Sequence, residues 1–170
     1  MKLILKRFAQ VLLIAFIVIQ FIRPTKNNSK DLAANDITTK YAVPNEVQAI
    51  LVTSCYDCHS NHTNYPWYAN IQPIAWWLND HIKEGKKELN FSVFSSYKIG
   101  RQYKKLEEIS NEISENEMPL ESYTYIHKKA KLNTKQKEII TNWANALRDS
   151  IEAHYPADSL KKRPPQPQAK

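Results

Sequence analysis

The stretch Cys55-Tyr56-Asp57-Cys58-His59 decides how this chain is read. Two cysteines three positions apart share one face of a helical turn, and a histidine follows at once. This is C-x-x-C-H, the pattern in which two thiols attach to the vinyl groups of a haem and the imidazole becomes an axial ligand of its iron. The chain has two cysteines in all, too few for a disulfide scaffold but sufficient for one haem. Other uses of the motif fit less well. A thioredoxin-like redox pair needs a βαβ setting. A zinc site from Cys55, Cys58, His59 and His62 would be unusually crowded.

The flanking sequence is helical in period. Upstream, Pro44 suits a first helical position, and Val47, Ile50, Leu51 and Ser54 share a face, so the helix is expected to run into the motif. Downstream, Asn61 to Gln72 reads as a loop. Pro73 opens a second helix through Trp77, Leu78, His81 and Ile82, with Gly85 just past its end. Ile99, Tyr103, Leu106, Ile109 and Ile113 mark a third. Asn133 caps a fourth with Gln136 three residues on, and Ile139, Ile140, Trp143, Ala144, Leu147 and Ile151 form its apolar stripe. No segment alternates with period two. The expected fold is all-α: c-type cytochrome-like helices around a covalent haem, with long irregular aromatic loops and an N-terminal membrane or signal helix.

Apart from the initiator, the chain's methionine is Met118, followed by Pro119 between two expected helices. A Met-Pro on a loop presents a thioether as a distal ligand, the proline stiffening the loop. His81, His127 and His62 are its rivals. His81 lies one turn from Trp77 and marks, with it, an expected contact to the haem. Tyr65, Trp67, Tyr68, Trp76 and Trp77 offer the flat apolar surface that a porphyrin needs.

The sequence also resembles a known family. Cys55 to Asn61, Tyr65-Pro66-Trp67-Tyr68, Ile71-Gln72-Pro73, Trp76-Trp77, His81-Ile82, Gly85 and Leu89-Asn90-Phe91-Ser92 carry the likeness. Met118-Pro119, Tyr123, His127, Ala130, Leu132 and Trp143 continue it. Over about residues 40–150 the chain is similar to the haem-binding domain family (Haem_bd), small exported proteins akin to c-type cytochromes. The resemblance implies one haem c, attached through Cys55 and Cys58, with His59 as axial ligand. It implies a cofactor rather than a reaction.

The ends differ from the body. The chain of 170 residues carries a formal charge of +7. Lys2, Lys6, Arg7, Arg23, Lys26 and Lys30 occupy the first 30 residues without an acid, and Lys161, Lys162, Arg163 and Lys170 close the chain. All 17 acids lie between, so the body is slightly acidic and lacks the basic face of a nucleic-acid binder. Phe8 to Ile22 is apolar after a basic start, the pattern of an export signal. Residues 1–24 are therefore expected to be an uncleaved signal-anchor or, as second choice, a cleaved signal peptide, with Leu32-Ala33-Ala34 a weak cleavage candidate. The positive-inside tendency leaves the body outside the cytoplasm. Residues 25–43 read as a polar tether, 44–155 as the haem-binding domain and 156–170 as a basic, Pro-rich disordered tail.

Together these features predict a membrane-tethered monohaem cytochrome that passes single electrons to redox partner proteins on the periplasmic side. No catalytic acid, base or nucleophile is expected. The alternative is a haem enzyme or a gas or redox sensor with an open or displaceable distal site beside His81.

Overall fold

The computed structural model describes residues 1–29 and 34–161. The described chain is mostly helical, with no strand and an isolated bridge between Asn28 and His62. The helices are α1 (Lys2–Ile19), α2 (Ile37–Lys40), α3 (Asn45–Ser54), α4 (Tyr56–His59), α5 (Ile74–Glu88), α6 (Ile99–Ser114), α7 (Glu121–Ile126), α8 (Thr134–His154) and α9 (Ala157–Leu160). Short 3-10 turns lie at Trp67–Asn70, Phe91–Ser96 and Lys128–Ala130.

The long helices form where the period places them. The side chain of Asn133 accepts from the Gln136 backbone, and that of Gln136 accepts from the Asn133 backbone, closing the expected capping box of α8. The α8 stripe of Ile140, Trp143, Ala144 and Ile151 is buried against α6, which turns in Leu106, Ile109 and Ile113. Val47, Ile50 and Leu51 of α3, with Phe91 and Phe94, complete this larger apolar cluster. Each such side chain contributes about 1.5–3 kcal/mol on burial. A smaller cluster of Tyr68, Ala69, Leu78 and Ile82 lies under the loop before α5.

Four expectations are corrected. First, α1 is not a membrane span. Its 18 residues rise roughly 27 Å at 1.5 Å per residue, against about 30 Å of hydrocarbon. Lys2, Lys6 and Arg7 lie within it, and among the described residues no helix is long and apolar enough to cross a membrane. Second, the helix leading into the motif breaks at Cys55, whose φ of −125° separates α3 from α4. Third, Gly85 lies inside α5, which continues to Glu88. A Cβ there would sit 2.8 Å from the Cys58 carbonyl oxygen, so glycine permits a close helix approach rather than a helix stop. Fourth, described residues of the stretch read as a tether pack on the body: Ile37 is fully buried in the larger cluster, and Asn27 bonds to the loop after His59. Residues 32 and 33 of the cleavage candidate and residues 162–170 of the tail lie outside the described residues.

Candidate functional site

The break at Cys55 divides the motif between the two clusters. Cys55 packs against the larger one and Cys58 against the smaller. The backbone N–H groups of Cys58 and His59 both donate to the Cys55 carbonyl, at 3.2 and 2.9 Å, which tightens α4 into a single turn. Both thiols are free. Burial, with Cys58 close by, pushes the Cys55 pKa up to about 12. Burial, with Asp57 adjacent, pushes that of Cys58 up to about 11. A redox-active dithiol works through a stabilised thiolate, and this environment does the opposite.

His59 is held from behind. Its Nδ1 donates to the Leu89 carbonyl at 3.0 Å, which leaves Nε2 as the free donor atom. Burial lowers its pKa, against the opposing pull of the Leu89 and Gly85 carbonyls, and favours the neutral imidazole that ligation needs.

Two adjoining cavities of about 190 Å³ each open beside the motif. Both are lined by Ser54, Cys55, His59, Glu88, Met118 and Pro119. The first is walled by aliphatic groups of α3, α6 and α8, among them Leu51, Ile109, Ile113 and Ile140, and by Phe91 of the 3-10 turn before α6. The second adds Cys58, His81, Leu120 and Tyr123. Met118 reaches this space because α6 is stopped sharply. Asn116 takes a left-handed φ of 65°, which asparagine tolerates, and the N–H groups of Glu117 and Met118 turn back onto the Glu112 carbonyl. Two thiols, an imidazole with Nε2 free and a thioether thus border one largely apolar space, a donor set that fits a haem.

The rival ligands fare differently. His81 lines the second cavity, and its Nδ1 bonds to the Trp77 carbonyl at 2.9 Å. His127 lines neither cavity; its Nε2 is bonded to the Tyr68 hydroxyl and its ring stacks on Tyr123 at 4.3 Å. His62 lies in the bridge with Asn28, and among the described residues no group of three or more His, Cys, Asp or Glu is arranged to hold a metal ion.

The five aromatic residues of the expected haem surface do not line the cavities. Trp77 is 41% exposed and lies against His81 with ring centroids 4.2 Å apart. Trp67 is 77% exposed, Tyr68 belongs to the smaller cluster, and Trp76 donates to the Ile22 carbonyl. Neither cavity is lined by Tyr65 or by any of these four.

Two groups escaped the sequence reading. Lys105 lines the first cavity, nearly buried, and pairs with Glu88 at 3.2 Å and with Glu108. Tyr123 donates to Asp57 Oδ2 at 2.7 Å and so ties α7 to the residue between the two cysteines. Tertiary contact brings Lys105 to Glu88 and Tyr123 to Asp57, whereas Lys105 and Glu108 pair within one turn of α6; the resemblance had pointed to Tyr123 without a role.

A family model described as the haem-binding domain matches residues 14–146, beginning inside α1 and taking in the segment 20–29. No curated protein and no solved structure matches the chain. The match spans most of the sequence and centres on the residues gathered here, and the chain therefore belongs to the haem-binding domain family.

Proposed function

We propose that this haem-binding protein carries a single haem c and passes single electrons outside the cytoplasm. The observation that carries the reading is that Cys55, His59 and Met118, from two distant parts of the chain, line the same pair of cavities. Haem, when bound, supplies a one-electron ferric–ferrous couple. Cys55 and Cys58 would hold it through thioethers. His59 would offer Nε2 to the iron, its ring fixed by the Leu89 carbonyl. Met118 would offer its thioether as a second ligand, and a metal with no ligand position left open would suit outer-sphere transfer. The aliphatic wall from α3, α6 and α8 excludes water. The basic start and apolar run of the N-terminus suit export to the compartment where haem c is attached.

The test is optical. After expression with c-type maturation machinery, the haem stain survives denaturing electrophoresis, and the ferric spectrum is low-spin with a weak methionine–iron band in the far red. Met118→Ala becomes high-spin and binds CO. Absence of the stain removes the covalent haem, and an unchanged Met118→Ala spectrum removes Met118 as ligand. His81 supports one competing reading, an enzyme or sensor, because it lines the second cavity. A high-spin ferric spectrum with rapid CO binding by the unaltered protein selects that reading.

A further inference from the structure

The segment that leads from α1 to the body grips the turn after His59. Its first half bonds to the loop before α5 and to the start of that helix. Gln20 Nε2 donates to the Gln72 carbonyl at 3.2 Å and its Oε1 accepts from the Gln72 N–H at 2.9 Å. The Ile22 carbonyl accepts from Gln72 Nε2 and Trp76 Nε1. Its second half reaches the motif. Asn27 Nδ2 donates to the Ser60 carbonyl and to Thr63 Oγ1, both at 2.9 Å. Asn27 Oδ1 accepts from Lys86 Nζ at 2.6 Å. Its backbone N–H donates to the Tyr65 hydroxyl at 2.7 Å, and its carbonyl accepts from the Thr63 N–H at 3.0 Å. The Ser29 N–H donates to the Asn61 carbonyl at 2.9 Å.

Every polar group of Asn27 is thus used, and its partners belong to two elements. Ser60 directly follows His59, and Thr63 Oγ1 donates to the carbonyl of Asp57 within the motif. Lys86 sits in the last turn of α5, beside Gly85 and three residues before Leu89, whose carbonyl orients His59. Asn27 spans the gap across which the His59–Leu89 hydrogen bond is made.

We propose that residues 20–29 are a resident strap of the haem site and that Asn27 is its positioning residue, fixing the exit of α4 against the end of α5. The effect on the haem rests on the reading of His59 as an axial ligand. A loosened Nδ1–H···O=C bond makes imidazole a poorer donor to ferric iron, so the reduction potential rises.

The strap is tested in the full-length chain by comparing Asn27→Ala, Asn27→Asp and Trp76→Phe. Asn27→Asp keeps an acceptor for Lys86 and loses both Nδ2 donors, so it serves if the alanine variant does not fold. Both Asn27 variants are expected to raise the midpoint potential of the holo-protein, whereas Trp76→Phe lowers the melting temperature and leaves the potential alone. Unchanged potentials in the Asn27 variants, or an equal rise in Trp76→Phe, overturn the positioning role. Amide exchange on the same chain reads the strap independently of haem. Slow exchange at Asn27, Ser29 and Thr63 supports it, and exchange at the rate of free peptide overturns it. A chain without covalent haem but with these amides protected fails the proposed function and keeps the strap.

Discussion

Among the acids that face the first cavity, Glu108 is held ionised by two neighbouring lysines. Burial by itself raises the Glu108 pKa, but hydrogen bonds and charge from Lys105, then Lys104, outweigh it and hold the group below its ordinary value. Lys105 meets Glu108 and Glu88, and Lys104 lies 3.3 Å from Glu108 one helical turn on. A carboxylate with a depressed native pKa contributes stability above its unfolded pKa and loses it as pH falls through the folded value. The melting temperature of the holo-protein is therefore expected to fall as pH drops below about 4.5. Lys105→Gln should flatten that part of the curve, and added salt should weaken it, because Glu108 is partly exposed. A Lys105→Gln protein with the same acid profile as the parent shows that this pairing has no part in it.

At the level of elements, the site depends on how closely α5 approaches α4. Gly85→Ala gains about 1 kcal/mol of helix propensity. It also drives a Cβ to 2.8 Å from the Cys58 carbonyl oxygen and 3.2 Å from the Cys58 Cβ, neither of which can swing aside. Overpacking of this kind costs roughly 1–3 kcal/mol. The expected result is a lower melting temperature together with a lower yield of attached haem. Gly100→Ala makes an equally close contact, at 2.8 Å from the Ser159 carbonyl oxygen, but at α9, so it should reduce stability without reducing haem yield. Equal haem yields from the two variants count against the role given to Gly85. These glycines also mark the limit of what the sequence conveys. Period and capping suffice for α6 and α8, because Leu106, Ile109, Asn133 and Ile140 act within their own helices. The motif and Met118 were legible because their chemistry is local. A glycine in the last turn of a helix, however, looks the same whether it ends the helix or admits a neighbour. Apolar bulk signals burial or exposure no better: Trp67 and Trp77 lie open, while the cavity wall comes from Leu51, Ile109 and Ile140 on separate helices. Pairings across long separations, such as Tyr123 with Asp57 or Asn27 with Ser60, leave no local trace.

Across the whole molecule, two apolar clusters meet at the motif, and each cysteine packs against a different one. A group attached at both cysteines joins the clusters covalently and fills the space between the helices. The first cavity alone measures about 190 Å³. Its wall is largely apolar and stays exposed to water when no group covers it. The chain without haem should therefore be poorly folded. The variant Cys55→Ser/Cys58→Ser, produced in the same cells, lacks the two thiols but keeps His59, Met118 and the helical stripes. Calorimetry of the loaded parent should give one sharp transition, and the variant a broader one at lower temperature. Adding free haem should recover part of the difference, since the His59 and Met118 side chains remain. A double variant that melts as sharply and as high as the parent would mean that the helices pack to completion by themselves.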